Sequence, residues 1–280
     1  MDIQTKAEGI IRLALTEDLG ALGDVTTEAL VDEDARGSAR IIAKSGLIVC
    51  GQSVAAKVFE LAQPGSQYTP MVEDGKEVSS GQTIGQVSGS LRSILKGERT
   101  ALNFLCHMCG IATLTRRLVE KASSSEIQIM DTRKTHPGIR DLEKYAVMVG
   151  GGKNHRRGLY DGVIIKDNHI AAAGGIREAV TFVRNAVGER FPIEVETGTL
   201  EDVRQALDSK ADIIMLDNMN PETIRKAVEI IGGRAKIEVS GGVRPDNLAD
   251  FLIPGVDAIS IGFITMSAPA ADISLELDKF

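Results

Sequence analysis

From about residue 126 the chain repeats one pattern: a short apolar run, a polar or glycine residue at its end, then an amphipathic stretch. The runs are Ile127–Met130, Val163–Ile165, Ile193–Val195, Ile213–Leu216, Ile237–Val239 and Ala258–Ile261, and successive runs begin 20 to 36 residues apart. That spacing is the size of a β-α unit. Residues 176–187 set Ile176, Ala179, Val180, Val183 and Val187 on one helical face. Strands joined through helices run parallel, because a parallel pair needs a crossover. The pattern predicts a parallel α/β sheet, closed as a barrel or left open. The units share no repeated motif, which argues against a solenoid.

The first third reads differently. Residues 3–15 place Ile3, Ala7, Ile10, Ile11, Ala14 and Leu15 at helical spacing, with Asp18 and Gly20 as a stop. Residues 36–90 read as a small β-rich region: Ala39–Ala43, Leu47–Cys50 and Thr83–Val87, with turns at Asp74-Gly75 and Ser80-Gly81. Residues 94–122 form a long helical pattern without proline. A chain of 280 residues accommodates this second domain beside a barrel.

The residues directly after each run carry the chemistry. The first run leads into Asp131-Thr132-Arg133-Lys134-Thr135 and the second into Lys166-Asp167-Asn168-His169. The third leads into Glu196, the fourth into Asp217-Asn218, the fifth into Ser240-Gly241-Gly242 and the sixth into Gly262. In α/β barrels this edge binds ligands and performs catalysis. Loop polarity explains one or two such ends, but not six. The glycine-bearing ends, Ser240-Gly241-Gly242 and Gly262, can offer backbone N–H groups to a phosphate. Glu196 and Asp217 on neighbouring strands can hold Mg²⁺, bind ribose hydroxyls or stabilise a cationic sugar transition state. A salt bridge to Lys134 is compatible with each of these.

Charge points the same way. The chain has a net charge of −7, yet residues 131–166 hold eight Lys and Arg against four Asp and Glu, leaving −11 to the remainder. One basic segment in an acidic protein suits a small anionic ligand rather than a nucleic acid. Trp is absent and aromatics are 4%, so a base-stacking platform is not expected. Gly150–Gly152 leads into Lys153-Asn154-His155-Arg156-Arg157, either a carboxylate-recognising cluster or a solvated basic loop. Three cysteines argue against a disulfide framework, and Cys106-His107-Met108-Cys109 reads as buried helix thiols rather than a redox or zinc motif. His136 reads as a loop residue. No apolar run is long enough for a membrane helix, and Met1-Asp2-Ile3-Gln4 lacks signal-peptide character; the expected location is the cytoplasm.

Several segments together resemble the quinolinate phosphoribosyltransferase family. They are Gly23–Thr27, Glu98–Leu105, Asp131–Arg140 (DTRKTHPGIR), Glu143–Val147, Gly150–His169, Glu194–Glu196, Met215–Asn218, Ser240–Gly242 and Asp272–Leu275. The resemblance implies an N-terminal α/β sandwich (residues 1–105, with 267–280 packing back on it) and an incomplete, open α/β barrel (106–266). It implies a pentosyltransferase that joins quinolinate to phosphoribosyl pyrophosphate, giving nicotinate mononucleotide, pyrophosphate and CO₂ for NAD synthesis. A same-fold enzyme acting on nicotinate or another aromatic acid is the alternative. By resemblance, Arg99, Arg133, His155, Arg156 and Lys166 clamp the quinolinate dianion. Lys134, Glu196 and Asp217 are the catalytic set, with Glu196 and Asp217 at Mg²⁺, and Ser240, Gly241, Gly242 and Gly262 fit the 5′-phosphate. The family works as homodimers with shared active sites, with Arg99 reaching into the partner, or as assemblies of such dimers. Two residues depart from its usual pattern: His136 stands where Thr is usual, and Met266 lies where a His is usual. A barrel phosphosugar isomerase would need no cationic clamp, so Arg133, Arg156 and Lys166 speak against it.

Overall fold

The structure is a computed structural model that describes residues 2–278. Met1, part of the amino-terminal reading, and residues 279–280 of the carboxy-terminal segment lie outside the described residues. The chain divides into two compact units. The first runs up to Arg116, takes in Thr135–Gly151 and resumes from Ser267; the second is Arg117–Lys134 with Gly152–Met266.

The first unit begins with α1 (Ile3–Leu19), which buries Ala7, Ile11 and Leu15, spaced four apart along one face. In α2 (Val25–Leu30) the Asp24 side chain caps the start by accepting from Thr27 N at 2.9 Å. Then come β1 (Arg36–Ala43), β2 (Leu47–Ile48), α3 (Gln52–Ala62), β3 (Ser66–Pro70), β4 (Glu77–Val78), β5 (Thr83–Ser90) and the 32-residue α4 (Leu91–Ala122), whose residues from Arg117 on belong to the second unit. Helix α5 (Arg140–Val149) and the last strand, β12 (Ile273–Leu277), also belong here. The main sheet is antiparallel in the order β12-β1-β5-β3, so the end of the chain pairs with β1 from Ala39↔Leu277 to Ala43↔Ile273. The stretch read as β-rich therefore also carries a helix. In α3, Val54, Ala55, Val58 and Phe59 are buried at helical spacing, a signal masked by the short strands on either side.

The second unit contains β6 (Gln128–Met130), β7 (Val163–Ile165), α6 (Asp167–Ala173), α7 (Ile176–Val187), β8 (Ile193–Thr197) and α8 (Leu200–Asp208). It continues with β9 (Ile213–Asp217), α9 (Pro221–Ile231), β10 (Lys236–Ser240), α10 (Leu248–Phe251), β11 (Ala258–Ser260) and α11 (Phe263–Met266). Local signals set the helix bounds. Thr199 and Asp202 form a capping box on α8, Asn220 caps α9 ahead of Pro221, and Gly174, Gly188 and Gly232 follow the ends of α6, α7 and α9.

The six strands form one parallel sheet in the order β6-β11-β10-β9-β8-β7. β6 and β7 are its edges and are not paired with each other, so the barrel is open. On the outer side of β6, Lys153 N donates to Ile129 O (2.9 Å) and Asp131 N donates to Lys153 O (3.1 Å), bringing the basic segment to that edge. The strands alternate with period two. One face is apolar and buried: Ile129, Ile165, Val195, Ile214, Leu216, Ile237, Val239 and Ile259. The other carries Glu194, Glu196, Asp217, Glu238, Ser240 and Ser260, aligned through Glu196↔Met215, Glu238↔Met215 and Ser240↔Asp217. Among the described residues, no helix is long and apolar enough to cross a membrane.

Candidate active site

The carboxyl ends of the parallel strands collect Lys134, Lys166, Glu196, Asp217, Ser240 and Gly262 on one edge of the second unit. Glu196 on β8 and Asp217 on β9 point to the same face, because Glu196 pairs with Met215, two residues before Asp217. Lys166, immediately after β7, makes an ion pair with Glu196 Oε2. The cation that holds Glu196 is thus Lys166, while Lys134 acts on Asp217 through space. Burial raises the Asp217 carboxyl pKa, the neighbouring Glu196 charge raises it further, and Asn218, Lys166 and Lys134 counter the rise. Asn218 donates from Nδ2 to Asp217 Oδ2 (2.8 Å) and from its backbone N to Ser240 O (2.9 Å), in a left-handed conformation at φ 55°. Two neighbouring carboxylates, one raised by the other, form an all-oxygen pair that fits a hard divalent cation such as Mg²⁺.

Lys134 is held from three directions. Its backbone N donates to Thr132 Oγ1 (2.9 Å), its carbonyl accepts from Thr265 Oγ1 (2.5 Å), and its side chain lies against Gly262. A Cβ on residue 262 would sit 2.9 Å from Lys134 Cδ, so glycine there makes room for the lysine. At the adjoining end, Gly241 and Gly242 both have positive φ (85° and 68°), which turns the chain sharply after Ser240.

Arg133 and Arg156 form the second charged group. Burial lowers the Arg156 pKa and the Arg133 charge lowers it further, so the two guanidiniums lie close enough to repel. An anion bound between them would relieve that repulsion. Arg156 donates from Nη1 to Gly162 O at 2.9 Å.

His155 faces the barrel interior. Its Nε2 lies 3.2 Å from Glu194 Oε2 and 3.5 Å from Glu238 Oε2, both glutamates being buried. Burial opposes a charge on the ring, but the hydrogen bonds to Glu194 and Glu238 outweigh it and push its pKa up to about 10. Against this, Arg156 N donates to Nδ1 at 2.7 Å, which requires a lone pair there. With that lone pair on Nδ1, the ring N–H sits on Nε2, directed at the two glutamates, and burial raises the Glu194 carboxyl pKa. A cavity of about 1060 Å³ opens beneath this triad, lined by the amino ends of the strands and so opposite the charged edge.

Arg99 lies on α4 in the first unit, exposed, whereas the other predicted site residues belong to the second. Cys109 is buried against the Cys50 backbone, and burial pushes its thiol pKa up to about 12; Cys106 is raised by the same cause. Met266 is half exposed at the end of α11. Sequence reasoning named Asp131 and Glu194 only within motifs, without a role, and did not single out Thr265 or Glu238. Asp131 is fully buried and accepts from His155 N at 2.8 Å, which fixes the start of the basic segment. The alternations Ile193-Glu194-Val195-Glu196 and Ile237-Glu238-Val239-Ser240 were the available signals that these strands have a polar face.

The comparisons with known proteins cover both units. The quinolinate phosphoribosyl transferase C-terminal domain matches residues 111–276, and the N-terminal domain of the same family matches 24–109. A Bacillus subtilis (strain 168) protein named probable nicotinate-nucleotide pyrophosphorylase (carboxylating) is 43% identical over 261 residues, covering 93% of this chain and 90% of its own length. A mitochondrial tobacco (Nicotiana tabacum) protein named quinolinate phosphoribosyltransferase (decarboxylating) 2b is 41% identical, covering 96% of this chain and 81% of its own length. The solved nicotinate-nucleotide pyrophosphorylase from Francisella tularensis superposes with a TM-score of 0.92 at 40% identity, covering 98% of this chain and 97% of its own. With both domains matched and these relatives spanning nearly its whole length, the chain belongs to the quinolinate phosphoribosyltransferase family.

Proposed function

We infer that the protein is a decarboxylating quinolinate phosphoribosyltransferase that joins quinolinate to phosphoribosyl pyrophosphate and releases nicotinate mononucleotide, pyrophosphate and CO₂. The observation that carries this reading is the edge of the parallel sheet. There, cations (Arg133, Lys134, Lys166) meet a carboxylate pair (Glu196, Asp217) and a glycine-lined turn (Gly241, Gly242). A dianionic aromatic acid needs the cations, a ribosyl group losing pyrophosphate needs the carboxylates, and a 5′-phosphate needs exposed backbone N–H groups.

Arg133, Arg156 and Lys166 supply the clamp. His155 supports it from behind by accepting the Arg156 backbone N–H, and Arg99 completes it from a second copy of the chain. The ring nitrogen of quinolinate already carries a lone pair, so the first step needs no general base, only positioning and charge stabilisation. Lys134, held by Thr132, Thr265 and Gly262, meets the developing negative charge. Glu196 and Asp217 face the ribosyl group as it becomes cationic and would hold Mg²⁺. When bound, Mg²⁺ supplies charge neutralisation for the leaving pyrophosphate. Bond formation makes the ring nitrogen cationic. The adjacent C–C bond then breaks, CO₂ leaves, its electron pair stays on the ring carbon beside that nitrogen, and a proton takes its place.

Exposed Leu13, Leu22, Val25 and Leu30 in the first unit support a homodimer, the assembly in which Arg99 can be shared. The three free cysteines support a cytoplasmic location. The deciding measurement is CO₂ release from carboxyl-labelled quinolinate with phosphoribosyl pyrophosphate and Mg²⁺, run beside nicotinate as acceptor. Stoichiometric CO₂ and nicotinate mononucleotide are expected. Turnover with nicotinate and none with quinolinate would overturn the reading.

A further inference from the structure

The first unit contains a second cluster of ligating side chains that the transferase chemistry does not use. We propose that His107, His136 and Glu143 form a binding site for a divalent transition-metal ion of the Zn²⁺, Co²⁺ or Ni²⁺ class. The three residues come from three separate segments: His107 from α4, His136 from the loop ahead of α5, and Glu143 from the first turn of α5. Glu143 is fully buried. Its Oε1 lies 2.9 Å from His107 Nε2 and 2.6 Å from His136 Nδ1, while its Oε2 accepts the His136 backbone N–H at 3.1 Å. One ligand atom from each residue falls within 4.8 Å of the others. The rings stand nearly perpendicular, at 80° with centroids 5.4 Å apart, so both aim at one point from different directions.

The donor set selects the metal. Two imidazole nitrogens and one carboxylate oxygen favour later first-row divalent ions, whereas Mg²⁺ prefers all-oxygen surroundings such as Glu196 and Asp217. Without metal, each ring donates an N–H to Oε1. On loading, each ring presents that nitrogen's lone pair, its proton moves to the other ring nitrogen, and the ion takes the position between them. Bonds of about 2.0–2.1 Å in a tetrahedron separate ligand atoms by roughly 3.3 Å, so from 2.9 and 2.6 Å the His107 ring must retreat by about 0.4 Å and the His136 ring by about 0.7 Å. His136 can do so: it lies on a loop with its side chain 45% exposed, which also opens a path for the ion and leaves room for water as a further ligand. The bond from His136 N to Glu143 Oε2 fixes the carboxylate as an outer-shell contact does in metal sites.

The test uses the full chain, stripped with chelator, with Mg²⁺ in excess, titrated with Co²⁺ and followed by visible d–d absorption and calorimetry. One Co²⁺ per chain is expected, displaced by Zn²⁺. His136→Thr and His107→Ala should each weaken binding by at least about tenfold. Cys106→Ala should bind as wild type does, which excludes a thiolate site. Circular dichroism checks that each variant is folded, and His136→Thr, in an exposed loop, is the variant that decides. Absence of saturable Co²⁺ binding by the wild type, or wild-type affinity in folded His136→Thr, would overturn the proposal and leave the cluster a hydrogen-bonded staple. Neither outcome depends on which acceptor the transferase uses.

Discussion

At the scale of single residues, the site sets function against stability. Asp217 is held near Glu196 and partly buried, and both burial and the like charge raise its pKa. A carboxyl whose folded pKa exceeds its unfolded value favours the folded state at low pH, and that advantage is lost as pH rises through the folded value. Asp217→Asn removes the ionisation. The variant should melt at a higher temperature than wild type at pH 7 to 8, with the difference shrinking as pH falls toward the carboxyl range, while turnover drops by about 10²-fold or more. Thermal melts across pH beside kcat measurements check both halves; a lower Tm at pH 8 would mean that Asp217 is net stabilising. Lys166 tells the complementary story, since it neutralises Glu196. Lys166→Ala and Arg133→Ala should each cost at least ~10²-fold in kcat/KM for quinolinate with the fold intact, because both residues stand beyond strand ends rather than in the core. Near-normal kcat/KM in either variant would remove that residue from the clamp.

At the scale of elements, the glycines that end β10 and come after β11 act by different means. Gly262 has ordinary backbone angles; its task is to leave space for Lys134. Gly262→Ala should push the lysine side chain aside, lowering kcat while leaving Tm near wild type. Gly241 has φ 85°, and a Cβ there would overlap the Asn218 side-chain oxygen. Gly241→Ala should therefore lower stability by about 1–2 kcal/mol as well as activity. A denaturant titration beside steady-state kinetics separates the two, and equal destabilisation by both variants would refute the distinction. Both glycines were visible in sequence as strand-end residues. What Gly262 accommodates was not, because Lys134 is 128 positions earlier in the chain.

At the scale of the whole molecule, the proposed dimer makes a claim that a single chain cannot. If Arg99 serves the partner's site, Arg99→Ala and Glu196→Ala are each inactive alone. A mixed dimer places both lesions in one site and none in the other. Random re-pairing makes about half the dimers mixed, so roughly a quarter of wild-type activity should return after unfolding, mixing and refolding. With each variant refolded alone as control and subunit exchange verified, a dead mixture would show that Arg99 does not act across the interface.

The elements and the charged edge were legible in the order of residues alone. Each of the six apolar runs became a strand within two residues of its expected bounds, since a short run flanked by turn and capping residues has few alternatives. The strand-end residues of β6 to β11 were readable for the same reason: parallel topology sends all of those ends to one side. Which charges meet depended on how the chain packs. Lys166 rather than Lys134 pairs with Glu196, His155 turns to Glu194 and Glu238, and His107 and His136 converge on Glu143. Sheet order, strand register and side-chain rotation set those partners, and these are long-range properties that local sequence does not encode.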